Sequence, residues 1–122
     1  MNSLFLTPCE AEVMNVVWGK DSVTVQDVVD AIPRQLAYTT VMTTIRILEN
    51  KGFVARAGKR GRALTYQSIV SSELASRRTL SEMANRYFDG SVKSMVLSLI
   101  RSKEITPDDL SELRVVIDSL KD

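Results

Sequence analysis

The spacing of the apolar residues changes at Gly52, and this change limits the folds that the 122-residue chain can adopt. Before Gly52, three segments repeat apolar side chains every three or four residues, which is the period of an amphipathic helix. After it, residues 53–56 and 63–66 lie on either side of Gly58-Lys59-Arg60-Gly61, a pattern that predicts a β-hairpin with a basic tip. The helical period returns from about Ser72. The chain is therefore predicted to be mainly α with one small β-hairpin.

Local residues indicate where the first three helices begin and end. The first is predicted to begin at Thr7-Pro8-Cys9-Glu10, a capping-box sequence with proline at the first helical position, and to stop at Gly19. The second is predicted to begin at Thr24 and to end at Pro33. The third is predicted from about Thr39 to Lys51, just before the helix-breaking Gly52.

Three helices followed by a two-stranded hairpin is the order of a winged helix-turn-helix domain, which we expect over residues 1–70. Val23 and Val25 are placed to add a short third strand to this hairpin. Trp18 and Tyr66 are better explained as core residues than as platforms for a ligand.

Residues 71–122 contain three further amphipathic segments, which are too short to bury their apolar stripes against one another. Pairing with a second chain would cover them, so we expect a helical dimerisation module. Its predicted interface residues share the apolar positions of these segments: Leu80, Met83, Tyr87, Phe88, Val92, Met95, Val96, Leu99, Ile100, Leu113, Ile117 and Leu120.

The net charge of +1 conceals a basic segment in the middle of the chain. Residues 1–33 carry a net charge of −4, residues 34–66 carry +6, and residues 67–122 carry −1. A positive surface confined to one third of the chain indicates an anionic partner, with nucleic acid or lipid headgroups as the leading candidates.

The outer face of the third helix is predicted to read DNA. Its side chains are short or polar and include no carboxylate, which phosphate would repel. Arg46 is suited to donate to guanine O6 and N7, and threonines suit phosphates or thymine methyl groups. The hairpin would lie against the sugar-phosphate backbone as a wing. The predicted DNA-binding residues are Tyr38, Thr39, Thr40, Met42, Thr43, Arg46, Lys59, Arg60 and Arg62.

These features also have plainer explanations. The helix face would look the same if it were only solvated, and a basic turn also favours solubility. Tyr38 is equally suited to pack beneath the third helix or to donate its hydroxyl to a phosphate.

The composition argues against catalysis, a metal site or a cofactor. The chain has no histidine, the commonest general base and a frequent zinc ligand, and its single cysteine, Cys9, cannot form an internal disulfide. No apolar run is long enough to span a membrane, and the start of the chain is a poor signal peptide. We therefore expect a cytoplasmic protein that is not an enzyme and needs no cofactor.

Several strings of residues resemble the penicillinase-repressor (BlaI/MecI/CopY) family of bacterial transcription repressors. The resemblance extends over residues 6–120, and its strings are Leu6-Thr7-Pro8, Glu10-Ala11-Glu12-Val13-Met14, Val17-Trp18, Ala37-Tyr38-Thr39-Thr40-Val41-Met42-Thr43-Thr44, Leu48, Lys51-Gly52, Gly61-Arg62-Ala63, Tyr66, Phe88-Asp89-Gly90-Ser91 and Leu110-Ser111-Glu112-Leu113.

This resemblance implies a homodimer with an N-terminal winged-helix DNA-binding domain and a C-terminal helical dimerisation domain. Family members bind palindromic operators and repress genes for β-lactamase, cell-wall antibiotic resistance or copper handling. Carried over by position, the recognition-helix contacts fall on Thr39, Thr40, Met42, Thr43 and Arg46, and the wing on residues 59–62.

The chain departs from the family pattern at two places. Members induced by a membrane sensor are cut at an Asn-Phe bond, whereas Ser98-Leu99 stands at the matching positions, so a protease or sensor partner stays unassigned. The copper-responsive branch has a Cys-x-Cys-rich C-terminus, which is missing here. Two alternatives remain at this point: a winged-helix adaptor for other proteins, or a winged-helix regulator of another family that senses a small molecule.

Overall fold

The computed structural model describes residues 5–121. Six helices and one antiparallel hairpin follow in the order α1 (Pro8–Trp18), α2 (Val25–Ala31), α3 (Tyr38–Asn50), β1 (Val54–Arg60), β2 (Ala63–Ser68), α4 (Ser72–Tyr87), α5 (Val92–Arg101) and α6 (Pro107–Ser119). The mainly α prediction with one small hairpin is confirmed, and none of the helices in the described part of the chain is long and apolar enough to cross a membrane.

Side-chain caps explain where the first two helices begin. In α1, the Glu10 backbone N–H donates to the Thr7 hydroxyl, and the Thr7 N–H donates to the Glu10 carboxylate, both at 3.2 Å. In α2, Thr24 and Asp27 form the same pair of bonds, both at 3.0 Å. Each pair satisfies backbone N–H groups that a helix start would otherwise leave without a partner.

The hairpin has its turn two residues further along the chain than the sequence pattern indicated. Gly58, Lys59 and Arg60 belong to the β1–β2 ladder, and the turn is Gly61-Arg62, since Arg60 pairs with Ala63. Gly61 has φ +66°, a conformation that glycine adopts at the first central position of a two-residue hairpin turn. The prediction that the tip of the hairpin lies at residues 58–61 is therefore wrong. A register shift between Arg56 and Gly58 lengthens β1 by one residue.

The third strand is reduced to one residue. Val23 forms an isolated antiparallel bridge with Tyr66, in which N–H···O distances are 2.9 and 2.7 Å. Val25 is instead the first residue of α2, so its predicted place in a strand is wrong. The capping bonds of Thr24 begin the helix immediately after the bridge and leave no room for a longer strand.

One core joins α1, α2, α3 and the hairpin. Its largest fully buried side chains come from these elements, their ends and the Val23 bridge: Val13, Met14, Val17, Val23, Val28, Val41, Ile45, Leu48, Phe53 and Val54. Tyr66 is buried as predicted, and Trp18 packs against the core while its indole N–H donates to the Val70 carbonyl at 2.8 Å. This core holds α3 by one face and leaves the other exposed.

The chain divides into two compact units within α4, between Thr79 and Leu80. The boundary at residue 70 that the sequence suggested stays a prediction. In the C-terminal unit, Ala84 and Met95 are buried, whereas α6 buries no residue at all. Most of the apolar side chains of the C-terminal unit are therefore exposed to solvent.

Candidate nucleic-acid interface

The outward face of α3 carries the polar residues that the sequence pattern assigned to it. Thr39, Thr40, Thr43 and Arg46 are exposed, and Met42 is half-buried. The opposite face packs in the core. There the Thr44 hydroxyl donates a hydrogen bond to the Thr40 carbonyl at 2.8 Å. Packing of one face thus presents a surface without carboxylates to the outside.

Tyr38 is the first residue of α3, and its side chain is 49% exposed. It lies beside Met42 and Arg46 at the lining of a surface pocket rather than beneath the helix. Of the two roles left open for this residue, the exposed position favours contact through the hydroxyl, although the contact itself stays a prediction.

Four of the seven basic residues in the 34–66 segment are engaged in ion pairs with acidic residues. These pairs are Arg34–Glu12 at 2.8 Å, Lys51–Glu10 at 2.6 Å, Arg56–Glu49 at 3.1 Å and Arg60–Asp27 at 2.6 Å. Most of the positive charge seen in the sequence is therefore compensated locally in the folded unit.

The remaining three cations lie on α3 and the wing. Within residues 5–121, the side chains of Arg46, Lys59 and Arg62 form no hydrogen bond and no ion pair, and all three are exposed. The uncompensated charge of the basic segment is thus concentrated where the sequence predicted DNA contacts. An anion that reaches this surface meets guanidinium and ammonium groups with free donors.

Arg60 differs from the other predicted wing residues because it is tied to α2. One Asp27 carboxylate oxygen accepts from the Thr24 backbone N–H at 3.0 Å and from Arg60 Nη1 at 2.6 Å. The Thr24 N–H, followed by the Arg60 guanidinium, lowers the pKa of Asp27 below its ordinary value. Asp27 therefore both caps α2 and anchors the wing, a role that the sequence pattern did not indicate.

Lys51 is also unavailable to an external anion. Its ammonium group donates to the Glu10 carboxylate at 2.6 Å and to the Phe5 carbonyl at 3.3 Å, while Glu10 is only 5% exposed. Burial raises the pKa of Glu10, but Lys51 and the Thr7 N–H outweigh it, so the net pKa is lowered. This pair links the start of α1 to the end of α3.

A pocket of about 260 Å³ lies among α3, the start of α2 and β2. Arg46 and Arg62, two of the three unpaired cations, both line it, together with Tyr38 and Gln26. Gln26 was not predicted from the sequence, because only tertiary packing brings this residue beside the wing. The Gln26 amide donates to Asp30 at 2.8 Å, which leaves its oxygen free to accept.

The residues predicted for dimerisation lie in α4, α5 and α6, apart from Phe88 and Leu120, which directly follow α4 and α6. All but one of them are exposed or half-buried. Leu99 is 51% exposed and Leu120 is 78% exposed. Met95 is 6% exposed within one chain, and its assignment to the dimer surface stays a prediction. The other eleven remain accessible for a partner.

Comparison with known proteins identifies relatives of this chain. The penicillinase repressor family pattern matches residues 6–119. The methicillin resistance regulatory protein MecI of Mammaliicoccus sciuri is 27% identical over 114 residues, which is 92% of each chain. The penicillinase repressor of Staphylococcus aureus is 26% identical over 117 residues, covering 94% of this chain and 92% of that protein.

The fold is similar to that of solved winged-helix regulators. MepR, a transcription regulator of the Staphylococcus aureus multidrug efflux pump MepA, matches with a TM-score of 0.52 and 21% identity over 95% of this chain and 81% of that one. A mutant of MarR from E. coli, solved in complex with operator DNA, gives a TM-score of 0.53 and 11% identity over 98% of this chain and 78% of that one. The predicted winged helix-turn-helix fold is confirmed.

Proposed function

Because the chain belongs to the penicillinase repressor family, we propose that it is a transcriptional repressor that binds palindromic operator DNA as a homodimer. Membership in this family contradicts the alternative of a regulator from another winged-helix family. The observation that carries the proposal is the distribution of charge: in residues 5–121, the unpaired cations of the basic segment all lie on α3 and the wing.

In this proposal, α3 enters the major groove. Arg46 donates to guanine O6 and N7, and the exposed threonines Thr39, Thr40 and Thr43 contact phosphates or thymine methyl groups. The absence of carboxylates on this face supports the assignment, since each would be repelled by the backbone. Met42, which is half-buried, supplies an apolar contact beside them.

The wing braces the DNA backbone. Lys59 and Arg62 have no acidic partner in the described chain, so they are the wing cations that we expect to touch phosphate first. Arg60 has an exposed side chain but is bound to Asp27, so it contributes mainly by holding the hairpin against α2. Phosphate contacts of this kind set register without reading sequence.

A second copy of the chain is the proposed partner of the C-terminal unit. Exposed apolar residues extend over three helices of this unit, including Val96, Leu99, Ile117 and Leu120, and no residue of α6 is buried. An apolar surface of this extent normally marks a protein interface. Two-fold symmetry of the dimer would impose a palindrome with half-sites one helical turn, or a small multiple of it, apart.

The proposed target genes are based on the names of the relatives. The names of those relatives refer to methicillin resistance and to penicillinase, and we propose genes of this resistance class as targets. The bound dimer would repress by occluding promoter DNA. Ser98-Leu99 in α5 stands where the resemblance places the Asn-Phe bond, so the proposal leaves induction by proteolysis unassigned.

Duplex titration at several salt concentrations tests DNA binding. We expect random duplex to bind at low salt with an affinity that falls steeply as salt rises, and genomic fragments selected by the protein to share a palindromic motif. A protein-protein adaptor would show neither result. Binding without any shared motif among the selected fragments would refute operator recognition.

Sedimentation tests the dimer. We expect the wild type to be dimeric and the double variant Val96→Asp, Leu99→Asp to be monomeric. Both side chains are exposed within one chain, and a dimer would bury the two new carboxylates without a partner. The N-terminal unit should stay folded, since neither site is in its core, whereas the C-terminal unit should lose part of its helical circular dichroism. A variant that still sediments as a dimer would contradict the assigned surface.

A further inference from the structure

Glu82, in α4, carries a buried oxygen that its own chain leaves without a hydrogen bond. Among the buried side-chain nitrogen and oxygen atoms that the structure describes, only Glu82 Oε2 lacks a partner. Buried polar atoms in folded proteins are nearly always hydrogen-bonded, and a buried carboxylate normally meets a cation. Glu82 as a whole is half-buried, so a group from outside the chain reaches this side chain without unfolding the unit.

The helix that buries nothing within its own chain also carries a free cation. Arg114 is the only basic residue of α6, and its exposed side chain forms no hydrogen bond or ion pair within residues 5–121. It lies four residues after Leu110 and three before Ile117, so these side chains share one side of the helix. Leu110 and Ile117 are both exposed, and a partner that covers them therefore meets Arg114 as well.

The distribution of charge indicates which part of a second copy covers α6. Residues 80–103 contain four basic and two acidic residues, whereas residues 104–121 contain two basic and five acidic residues. Two like surfaces would repel each other, but α6 laid on α4 and α5 of a second copy joins opposite charges. A groove of about 370 Å³ on α6 fits this arrangement, because it combines apolar side chains with the carboxylates of Asp109 and Glu112. The free cation of α6 is then the counter-charge available to Glu82.

We propose that Glu82 pairs with Arg114 of a second copy, and that this pair restricts the C-terminal unit to partners of its own kind. The inference rests on the proposed homodimer and adds the contact that selects the partner. Two-fold symmetry makes the contact reciprocal, so each dimer contains it twice. The guanidinium fork bonds both oxygens of a carboxylate, which makes the contact directional. A chain that lacks either residue is rejected, because it leaves a charge buried without a partner.

Charge reversal of the full chain tests the pair. Glu82→Lys brings two cations together at each contact, and Arg114→Glu brings two carboxylates together. We expect each variant alone to raise the Kd of the dimer about a hundredfold or more, as measured by sedimentation over a range of protein concentrations. An equimolar mixture of the two variants should recover a dimer of wild-type stability, because each of its contacts again joins a cation to a carboxylate. Native mass spectrometry should find one copy of each variant in that dimer.

Matched controls make the same changes of charge in the other unit. Lys20→Glu and Asp21→Lys alter exposed residues of the N-terminal unit that form no ion pair within residues 5–121, so both variants should remain dimeric. Glu82→Gln keeps the shape of the side chain and removes only its charge. This variant should raise the Kd of the dimer about tenfold or more.

Three results would overturn the pair while leaving the homodimer intact: wild-type stability of the dimer in either reversed variant, the same stability in Glu82→Gln, or a mixture of the reversed variants that stays monomeric. Recovery in a single chain that carries both reversals, without recovery in the mixture, would place the contact within one chain and also refute the proposal. A monomeric wild type would instead contradict the proposed homodimer, so the two failures are distinguishable.

Discussion

Arg62→Gln is expected to flatten the salt dependence of DNA binding, whereas Lys103→Gln is expected to leave it unchanged. Each variant removes one exposed cation that has no ion-pair partner in residues 5–121, so the net charge falls equally from +1 to 0. The two positions differ in place, because Arg62 is in the wing turn and Lys103 is in the connection between α5 and α6. The comparison therefore separates a local contact from total charge.

The magnitude follows from how many phosphates the variant no longer neutralises. On B-DNA each neutralised phosphate contributes about 0.9 to the slope of log affinity against log salt concentration. A homodimer presents Arg62 twice, so its removal should reduce the slope by about 1.8. Between about 50 and 200 mM salt, a slope difference of about 1.8 amounts to about a 12-fold smaller loss of affinity for the variant.

Fluorescence anisotropy of a labelled duplex at four or more salt concentrations measures these slopes. The duplex should be a fragment that the wild type has itself selected, so that all variants start from the same complex. Slopes that are flattened equally in the Arg62 and Lys103 variants would mean that net charge alone governs binding. A wild-type slope in the Arg62 variant would remove this residue from the interface.

Three further variants test other parts of the same surface and its support. Arg46→Ala should cost about 1–3 kcal/mol per half-site and relax specificity at one base pair of each half-site, as measured by competition with single-base variants; undiminished affinity would refute base reading. Asp27→Asn should release Arg60, so affinity should rise and the salt slope should steepen; a flatter slope would show that anchoring the wing matters more. Glu10→Gln should reduce the free energy of unfolding in urea by about 1.5–3 kcal/mol at neutral pH, because a neutral amide oxygen replaces the carboxylate that faces the Lys51 ammonium.

The last of these variants also carries a pH dependence with a definite sign. The pKa of Glu10 is lower in the folded chain than its ordinary value of 4.5, so its contribution to stability is present above that value and is lost as pH falls through the lowered pKa. The stability difference between wild type and Glu10→Gln should therefore shrink at acidic pH. A difference that stays constant from neutral to strongly acidic pH would contradict this account of the Lys51 ion pair.

Helix starts were predictable because their causes are local. Thr7 with Glu10 is a pair three residues apart, and the two residues bond to each other's backbone in the structure. The hairpin turn was misplaced because Gly58 and Gly61 are both suited to a turn, and only the ladder decides between them. The irregularity after Arg56, which extends β1, leaves no mark in the hydrophobic pattern.

The pairing of charges could not be predicted, because the partners are distant in sequence. Glu10 and Lys51 are 41 residues apart, and Asp27 and Arg60 are 33 apart. Charge counted in segments cannot show which cations the fold neutralises. From the sequence, Arg60 and Arg62 were both predicted to bind DNA. The structure distinguishes them, because Arg60 is paired with the Asp27 carboxylate.

The exposed state of α6 links the proposed dimer to the stability of the C-terminal unit. A helix of 13 residues is marginal in water by itself, and tertiary packing supplies most of the stability of helices in proteins. Within one chain α6 buries none of its residues, so that packing has to come from elsewhere. If a second copy supplies it, the free energy of association is also folding free energy, and the melting temperature of this unit should rise with protein concentration. The core around α3 should lack that dependence, because one chain completes it. A dissociated chain would then keep its folded N-terminal unit and the α3-wing surface. It would still bind the operator more weakly, because only a dimer contacts both half-sites at once.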